Sequence, residues 1–355
     1  MEGKKTLVIV LGTIALGILV MVCLGIGIYF TQGNVTLFGI HGGVMNEQDI
    51  QKEETFDTKD LQNLKIAVAG ADVEVILTDD TELRVVQYAK TKLKQKELFV
   101  SKTEGSSLTI EDGRLQPSIC FFCVGNYQML YKIYLPRTYK QNFDLSTVSG
   151  DLMLPHEINM KKASFHSTSG DLSLGHIDAD DIQIQTTSGE VNAGRLQGST
   201  VMVGTTSGDV VVERIMGKTE IQSTSGTISV DTINGETVAI DTTSGDIELT
   251  TVNAALDVHS TSGEIMVDRL QGMLKAHTVS GDIEITRYGI KGNSEVQTTS
   301  GTVYIGFDSG SNCEVKTDTT SGDVSLPNDS HLIGSGATYE IRIETISGDI
   351  DIDKS

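Results

Sequence analysis

A short phrase recurs along the second half of the chain, and its spacing constrains the fold more than any other feature of the sequence. It reads DTTSGDIEL at residues 241–249, and eleven Ser-Gly pairs of this kind lie 18 to 26 residues apart. Their glycines are Gly150, Gly170, Gly189, Gly208, Gly226, Gly245, Gly263, Gly281, Gly301, Gly322 and Gly348. A period near 19 is too long for one strand and too short for a domain. Each repeat is therefore predicted to be one coil of a solenoid that buries its inner face by stacking on its neighbours.

Each position of the repeat has a fixed character. Ser or Thr lies three residues before the glycine in all eleven copies, and an aliphatic residue follows two residues after it, as in Thr242 and Ile247. The next aliphatic position has the same parity, which is typical of strands with one buried face. We expect the glycine to supply backbone angles forbidden to other residues and the hydroxyl to bond local backbone groups. The sequence predicts an all-β fold, a right-handed parallel β-solenoid of about eleven or more coils.

Two further regions precede the repeats at 144–355. Residues 61–143 alternate with period two, as in LKIAVAGADVEVIL, and are predicted to form an N-terminal β-strand region of the solenoid. Residues 31–60 are polar and irregular, which is typical of a stalk.

The first thirty residues predict the compartment. Residues 7–30 contain no charged side chain, and 24 residues at 1.5 Å each are long enough to cross about 30 Å of hydrocarbon. Lys4 and Lys5 precede this run, whereas the next basic residue is Lys52, so the N-terminus is predicted to be cytoplasmic. No small-residue cleavage pattern follows the run. Residues 1–30 are therefore predicted to be a cytoplasmic tail and one uncleaved transmembrane helix, which contacts the cell membrane and leaves the rest extracytoplasmic.

Acidic residues are concentrated in the repeats, where residues 144–355 hold 32 Asp and Glu against 12 Lys and Arg. This charge argues against nucleic acid as a partner. An acidic residue follows the corner glycine in nine repeats: Asp151, Asp171, Glu190, Asp209, Asp246, Glu264, Asp282, Asp323 and Asp349. A row of calcium ions could neutralise these carboxylates, or each could accept backbone N–H groups of its own turn. Because the G-G-x-G-x-D loop of calcium-binding solenoids is missing, we expect turn chemistry, no metal ligands and no cofactor.

Two other rows of polar side chains are expected to stack in register. Six residues after the corner glycine lies a basic strip of His156, His176, Arg195, Arg214, Arg269 and Arg287. It could contact anions or glycans, or its arginines could pair with neighbouring carboxylates. Four residues before the glycine come His166, His259 and His277, of which the last two lie on adjacent coils and form either a pH-sensitive or metal-binding pair or part of a solvated face.

The N-terminal region carries two motifs outside the repeat. If AKTKLKQKE is extended, Lys90, Lys92, Lys94 and Lys96 fall on one side. Such a row could contact anionic envelope polymers or lipid headgroups, although lysines also protect exposed strand edges. Cys120 and Cys123 form CFFC, which is open to three interpretations: buried or passively bridged thiols, a structural disulfide, or a redox or metal pair.

Catalysis finds little support in the sequence. Acidic residues recur with the coil period instead of clustering, and the adjacent pairs Asp79-Asp80 and Asp180-Asp181 lack an identifiable partner. The aromatic residues that could stack on sugars are few, among them Tyr288, Tyr304 and Phe307. We therefore predict that the protein is not an enzyme and assign no catalytic or cofactor-binding residue.

The repeated phrases STSGDL and TTSGDI, with YKIYLP at residues 131–136 leading into the first coil, resemble a bacterial family. Its members are described as "putative adhesins" with β-strand repeats, a domain family of unknown function. The similarity covers residues 61–355, and a membrane anchor suits the family. The resemblance implies an adhesin-like surface module and supplies no catalytic or binding residues.

The resulting hypothesis is a membrane-anchored, extracytoplasmic adhesin-like surface or scaffold module that binds an envelope polymer or a protein. The alternatives are an accessory or sensor subunit of an envelope-stress signalling system and a polysaccharide-acting solenoid enzyme. Because DIDIDKS follows closely on the last Ser-Gly, we expect the coil at Gly348 to end the stack. Such an open edge invites strand addition by another chain, but we expect the charges of Asp349, Asp351, Asp353 and Lys354 to protect it and keep the protein monomeric.

Overall fold

Twenty-four strands account for most of the residues that the structure describes, because β-branched and aliphatic residues alternate with polar ones along them. The computed structural model describes residues 50–115 and 129–354, which belong to one unit. The predicted membrane span at 7–30 and the CFFC motif lie outside these residues. Across the two described ranges, no helix is both long and apolar enough to span a bilayer.

The strands fall into three groups along the chain. The N-terminal group is β1 (Ile50–Asp57), β2 (Asn63–Val68), β3 (Asp72–Thr78), β4 (Glu82–Ala89), β5 (Val100–Glu104), β6 (Ser107–Glu111), β7 (Met129–Pro136) and β8 (Asn142–Thr147). The repeats form β9 (Leu152–Ser167), β10 (Leu172–Gln185), β11 (Val191–Gly204), β12 (Val210–Ser223), β13 (Ile228–Thr242), β14 (Ile247–His259), β15 (Ile265–Gly272), β16 (Leu274–His277), β17 (Ile283–Ile290), β18 (Ser294–Ser300) and β19 (Val303–Phe307). The C-terminal group is β20 (Cys313–Ser321), β21 (Val324–Ser325), β22 (Leu332–Ile333), β23 (Tyr339–Ser347) and β24 (Ile350–Lys354). Short 3-10 helices cover Gln95–Glu97, Gly113–Leu115 and Pro327–Asp329.

Successive coils of the repeat pair in parallel and in register. Leu172 of β10 lies opposite Val191 of β11, which lies opposite Val210 of β12. All three side chains are fully buried, as are their equivalents in the other coils except Val324 of the outermost coil, which is 41% exposed. The period-two pattern therefore places one face of strands β9 to β19 in a continuous apolar core, and the predicted parallel stack of coils is confirmed.

The N-terminal strands extend the same stack, but out of chain order. Strand β3 pairs with β9 on one side and with β7 on the other, although β7 lies later in the chain than β3. Strand β4 then pairs antiparallel with β7, and β1 pairs antiparallel with β4. This end of the stack is therefore covered by antiparallel strands.

The prediction of a stalk at residues 31–60 is wrong for residues 50–60, the part that the structure describes. Residues 50–57 form β1, and Glu54 lies opposite Val85 of β4. A polar sequence can form this strand because it lies at a sheet edge and its outer face contacts solvent.

The coil that contains Gly348 lies inside the stack, contrary to the sequence expectation. Strand β23 lies between β18 and β20, and β24 pairs with both β19 and β21. The outermost coil is therefore β20–β21, whose first two residues also pair antiparallel with β22. Asp351 lies opposite both Tyr304 and Ser325, so it belongs to an internal strand and does not protect an open edge.

Candidate functional site

The Ser-Gly corners of the repeat form a single row along the stack, here called the corner row. In five coils the glycine N–H donates to the hydroxyl three residues earlier, with distances of 2.8 to 3.2 Å. The acceptors are Thr147, Ser167, Thr186, Thr205 and Thr242, all of them buried. The expected bonding between the hydroxyl and local backbone is confirmed in these coils.

The reason for glycine at the corner differs from the sequence expectation. The described glycines with positive φ are Gly105, Gly217 and Gly334, so no corner glycine adopts a left-handed conformation. Instead, a Cβ built on Gly245 would overlap the carbonyl oxygen of Gly226 in the preceding coil, and the same overlap recurs along the row. Glycine is required because stacked backbones approach one another too closely for a side chain.

The aspartates beside the corner connect one coil to the next. Oδ1 of seven aspartates accepts the N–H of the equivalent residue in a neighbouring coil at 2.7 to 3.1 Å. These acceptors are Asp72, Asp151, Asp171, Asp209, Asp246, Asp282 and Asp349. These seven bonds join neighbouring coils, whereas the sequence predicts bonds within each turn.

Repulsion within this acidic row is visible at Glu264. Desolvation raises the pKa of Glu264, and the nearby carboxylates of Asp282 and Asp246 raise it further. In the described ranges, no group of three or more His, Cys, Asp or Glu side chains is arranged to hold a metal ion. Calcium binding along the row stays an untested alternative from the sequence.

Two substitutions at Asp246 should separate its hydrogen bond from its charge. Asp246→Ala removes the acceptor 2.9 Å from the Glu264 N–H, and we expect the free energy of unfolding to fall by about 1 kcal/mol. Asp246→Asn keeps a carbonyl oxygen as acceptor and relieves repulsion with Glu264, so its stability should equal or exceed that of the natural chain. Urea unfolding at pH 7 measures both, and equal losses in the two variants would contradict this role.

The basic strip is shorter than the sequence indicates. His176 lies opposite Glu157 and not His156, because an irregularity near Leu174 shifts the register by one residue. Arg195 bonds Glu157 at 3.1 Å. Similarly, Arg287 lies 2.8 Å from Asp268. These two arginines are therefore engaged with neighbouring carboxylates, as one of the two interpretations predicts.

The structure brings His259 and His277 together but separates His166 from them. The two rings lie on adjacent coils with centroids 6.0 Å apart. His259 Nε2 lies 2.8 Å from Asp257 Oδ1. Burial and the neighbouring His259 lower the pKa of His277. The pair is thus a cluster in which protonation of His277 is disfavoured.

Replacing His277 should weaken the acid sensitivity of the fold. Because its folded pKa lies below the unfolded value of about 6.5, the folded state binds fewer protons and stability falls as the pH drops below 6.5. His277→Gln should fit, since Gln297 occupies the equivalent position of the next coil. We expect a smaller loss of stability between pH 7 and 5, measured by urea unfolding at each pH. An unchanged loss would contradict the prediction; His166, whose pKa burial also lowers, accounts for part of the loss that remains.

The lysine row is not an extended strand. The segment leaves β4 at Ala89, bends, and forms the 3-10 helix Gln95–Glu97. Lys90, Lys92, Lys94 and Lys96 are all exposed. The four charges therefore lie on a loop and protect no strand edge.

The described residues provide no support for the alternative of a polysaccharide-acting enzyme. Tyr288 and Phe307 are fully buried and stack on each other with centroids 5.6 Å apart, so neither can contact a sugar. Asp181 bonds Lys162 at 3.0 Å across coils. Cys313 is a buried free thiol whose pKa burial raises to about 11.

Sequence reasoning missed a buried polar cluster in the N-terminal region. Asp112 is fully buried and accepts hydrogen bonds from Arg114 Nε and Nη2 at 2.9 and 2.7 Å. Tyr131 donates to the same carboxylate at 3.2 Å, and burial raises the Tyr131 pKa. Residues 111–114 read EDGR and do not belong to the repeat, so no regular spacing marks them. The cluster fixes the backbone beside the loop that carries the four lysines.

Comparisons with known proteins agree with the repeat architecture. A family model described as Toastrack DUF4097 matches residues 61–269 and 218–353. A search of curated proteins finds no match.

Three solved structures are similar to the chain. A "putative adhesin" from Parabacteroides merdae is 10% identical, with 87% of this chain and 97% of that chain covered and a TM-score of 0.41. A "putative cell adhesion protein" from Clostridium sporogenes is 11% identical, covering 86% and 99%, with a TM-score of 0.19. A "putative lipid binding protein" from Parabacteroides distasonis is 18% identical, covering 87% and 98%, with a TM-score of 0.34.

Proposed function

The chain belongs to the family described as Toastrack DUF4097, and from that premise we propose that it is a non-catalytic, adhesin-like surface module. In this proposal residues 7–30 hold it in the cell membrane, and a right-handed coil stack faces the outside. Its long faces bind an envelope polymer or a protein partner.

The continuous corner row carries the proposal. Its eleven corners stack through glycine-to-glycine contacts from coil to coil, and carboxylates hydrogen-bond between coils beside them. Such a stack presents similar polar groups at most coils on a rigid support. An extended repetitive ligand can contact many coils at once, so weak individual contacts add up to useful affinity.

The unpaired arginines indicate where such a ligand would lie. Arg214 is exposed and Arg269 half-buried, and neither forms an ion pair with another described residue. Thr232 and Thr251 separate them in the same row. An anionic polymer along this row would contact both arginines and the intervening hydroxyls.

Topology and binding need separate experiments. With an epitope tag after Ser355, protease added to intact cells should remove the tag, whereas a cytoplasmic marker should survive. A protected tag would contradict the extracytoplasmic placement.

Binding is measured with the purified full chain in detergent and isolated anionic envelope polymer. We expect saturable binding without polymer cleavage, weakened by Arg214→Gln with Arg269→Gln. The control is Arg137→Gln with Arg342→Gln, which removes the same charge from other rows. Cleavage of the polymer, or equal binding by both double variants, would contradict the proposal.

A further inference from the structure

We propose that the loop after β4 is a docking surface for anionic phospholipid headgroups and turns the N-terminal end of the stack toward the membrane. The loop is defined here as residues 90–97, the lysine loop. This inference rests on the membrane-anchoring part of the proposed function and adds a second, electrostatic contact to it.

The chain enters the described unit next to the lysine loop. Ile50 lies opposite Tyr88 at the end of β4, directly before the lysine loop. The Gln51 side chain donates to the Ala89 carbonyl at 3.4 Å and accepts the Leu93 N–H at 2.9 Å. The chain thus arrives beside the loop. Nineteen residues separate Ile50 from the end of the predicted span, a reach of at most about 65 Å.

Hydrogen bonds and a buried side chain hold the lysine loop in place. Leu93 is buried, and the Lys94 N–H donates to Glu97 Oε2 at 2.7 Å. The amide of the buried Gln87 donates to the Glu97 carbonyl and accepts the Phe99 N–H, both at 3.1 Å. The backbone is therefore fixed from both sides. A fixed loop loses little entropy when it meets a surface.

The lysine loop carries positive charge that no ion pair neutralises among the described residues. None of its four lysines forms an ion pair with another described residue, and all four are exposed. The acidic side chains of β1 nearby are already paired, Glu53 with Arg84 at 3.2 Å and Glu54 with Lys52 at 2.9 Å. The loop consequently presents uncompensated positive charge to any anionic surface.

The lysine loop differs in charge from the repeats. Residues 144–355 hold 32 acidic against 12 basic side chains, so their net charge opposes broad contact with an anionic membrane, whereas the charge of the lysine loop favours it. Ile50 and Val100, in strands beside the loop, are 49% and 43% exposed. Apolar side chains near lysines suit the headgroup boundary of a bilayer better than a fully hydrated polymer.

A fluorescence experiment can test the docking because the chain contains no tryptophan. Thr91→Trp places one fluorophore, the loop probe, between Lys90 and Lys92, and Leu332→Trp places another, the distal probe, in the C-terminal group. The full chain is reconstituted into nanodiscs that contain lipids with a headgroup-level quencher, with or without phosphatidylglycerol. We expect phosphatidylglycerol to increase quenching of the loop probe at least about twofold and salt near 0.5 M to reverse it. The distal probe should respond to neither.

Two quadruple variants with equal charge change complete the test. Replacing Lys90, Lys92, Lys94 and Lys96 by glutamine should abolish the effect of phosphatidylglycerol on the loop probe. The matched control replaces Lys161, Lys218, Lys291 and Lys354, which are exposed and lie elsewhere, and should preserve it. Circular dichroism verifies that both variants fold.

The outcomes separate the docking from the anchoring. A chain that fails to co-elute with nanodiscs overturns the membrane anchoring of the proposed function. A chain that co-elutes but shows the same quenching of the loop probe in both lipids overturns the docking alone. The docking is also overturned if both quadruple variants lose the effect of phosphatidylglycerol on the loop probe equally. The same holds if a soluble anionic polymer changes the quenching and phosphatidylglycerol does not.

Discussion

Replacing Gly245 by alanine should lower the free energy of unfolding by roughly 3 kcal/mol. The added methyl group would overlap the carbonyl oxygen of Gly226, and neither backbone can move without breaking its hydrogen bonds. The Ser244 N–H donates to the Thr224 carbonyl at 2.9 Å, and the Gly245 N–H donates to the Thr242 hydroxyl at 3.1 Å. The coils must therefore separate at this corner, and the cost arises from overpacking and lost hydrogen bonds together.

The matched control is Gly310→Ala, because a methyl group at Gly310 meets no atom within 4 Å. Urea unfolding of the full chain in a mild detergent, followed by circular dichroism, measures both variants. We expect Gly310→Ala to leave the unfolding midpoint unchanged or raise it slightly, since alanine restricts the unfolded chain. Equal effects of the two substitutions would show that the corner glycines are not needed for close stacking.

The sequence predicts the corner row well because each of its properties is local. A glycine, a hydroxyl three residues before it and an aliphatic residue two residues after it are enough to define a turn and the buried face of a strand. The expectation that the glycine supplies special backbone angles is wrong, because the constraint on the glycine comes from the preceding coil and not from its own φ angle. The seven aspartate bonds between coils depend on the same stacking distance and could not be derived from one repeat.

The order of the coils is harder to predict, because near-identical repeats are interchangeable as neighbours. Two irregularities nevertheless mark the outermost coil. Thr317 is polar where the other ten repeats have an apolar residue, and 26 residues separate Gly322 from Gly348, the longest interval of the series. In the structure Thr317 lies opposite Ile343, and the coil that contains it has solvent on one side. A terminal repeat needs a more polar face than internal repeats do, and this physical requirement explains Thr317.

The candidate polar sites also differ in whether regular spacing along the sequence is enough to predict them. Stacking of His259 on His277 follows from a regular spacing, and the structure confirms it. The displacement of His156 follows from one extra residue in β9 between Leu154 and Glu157, which repeat counting does not locate. The Asp112 cluster joins Asp112 and Arg114, which follow β6, to Tyr131 of β7, so no periodic signal reveals it.

Ending the chain at Ala337 removes β23 and β24. We expect this deletion to destabilise the C-terminal end of the stack much more than the loss of a terminal coil would. The missing strands β23 and β24 contribute four fully or almost fully buried isoleucines, Ile341, Ile343, Ile350 and Ile352. Each contributes about 1.5 to 3 kcal/mol through burial. Their removal also exposes β18 and β19 and leaves β20 without the strand that pairs along its length.

Hydrogen exchange along β20 distinguishes this arrangement from a stack in chain order. In the observed order, the shortened chain should lose amide protection across residues 313–321, because β23 separates β20 from β18. In a stack that follows the chain, β20 would pair with β18 directly and stay protected after the deletion. The control is Ile346→Ala in the full chain, which alters an exposed side chain of β23 and should leave β20 protected. Persistent protection of β20 in the shortened chain would contradict the insertion of the C-terminal strands, since β20 would then hold its hydrogen bonds without them.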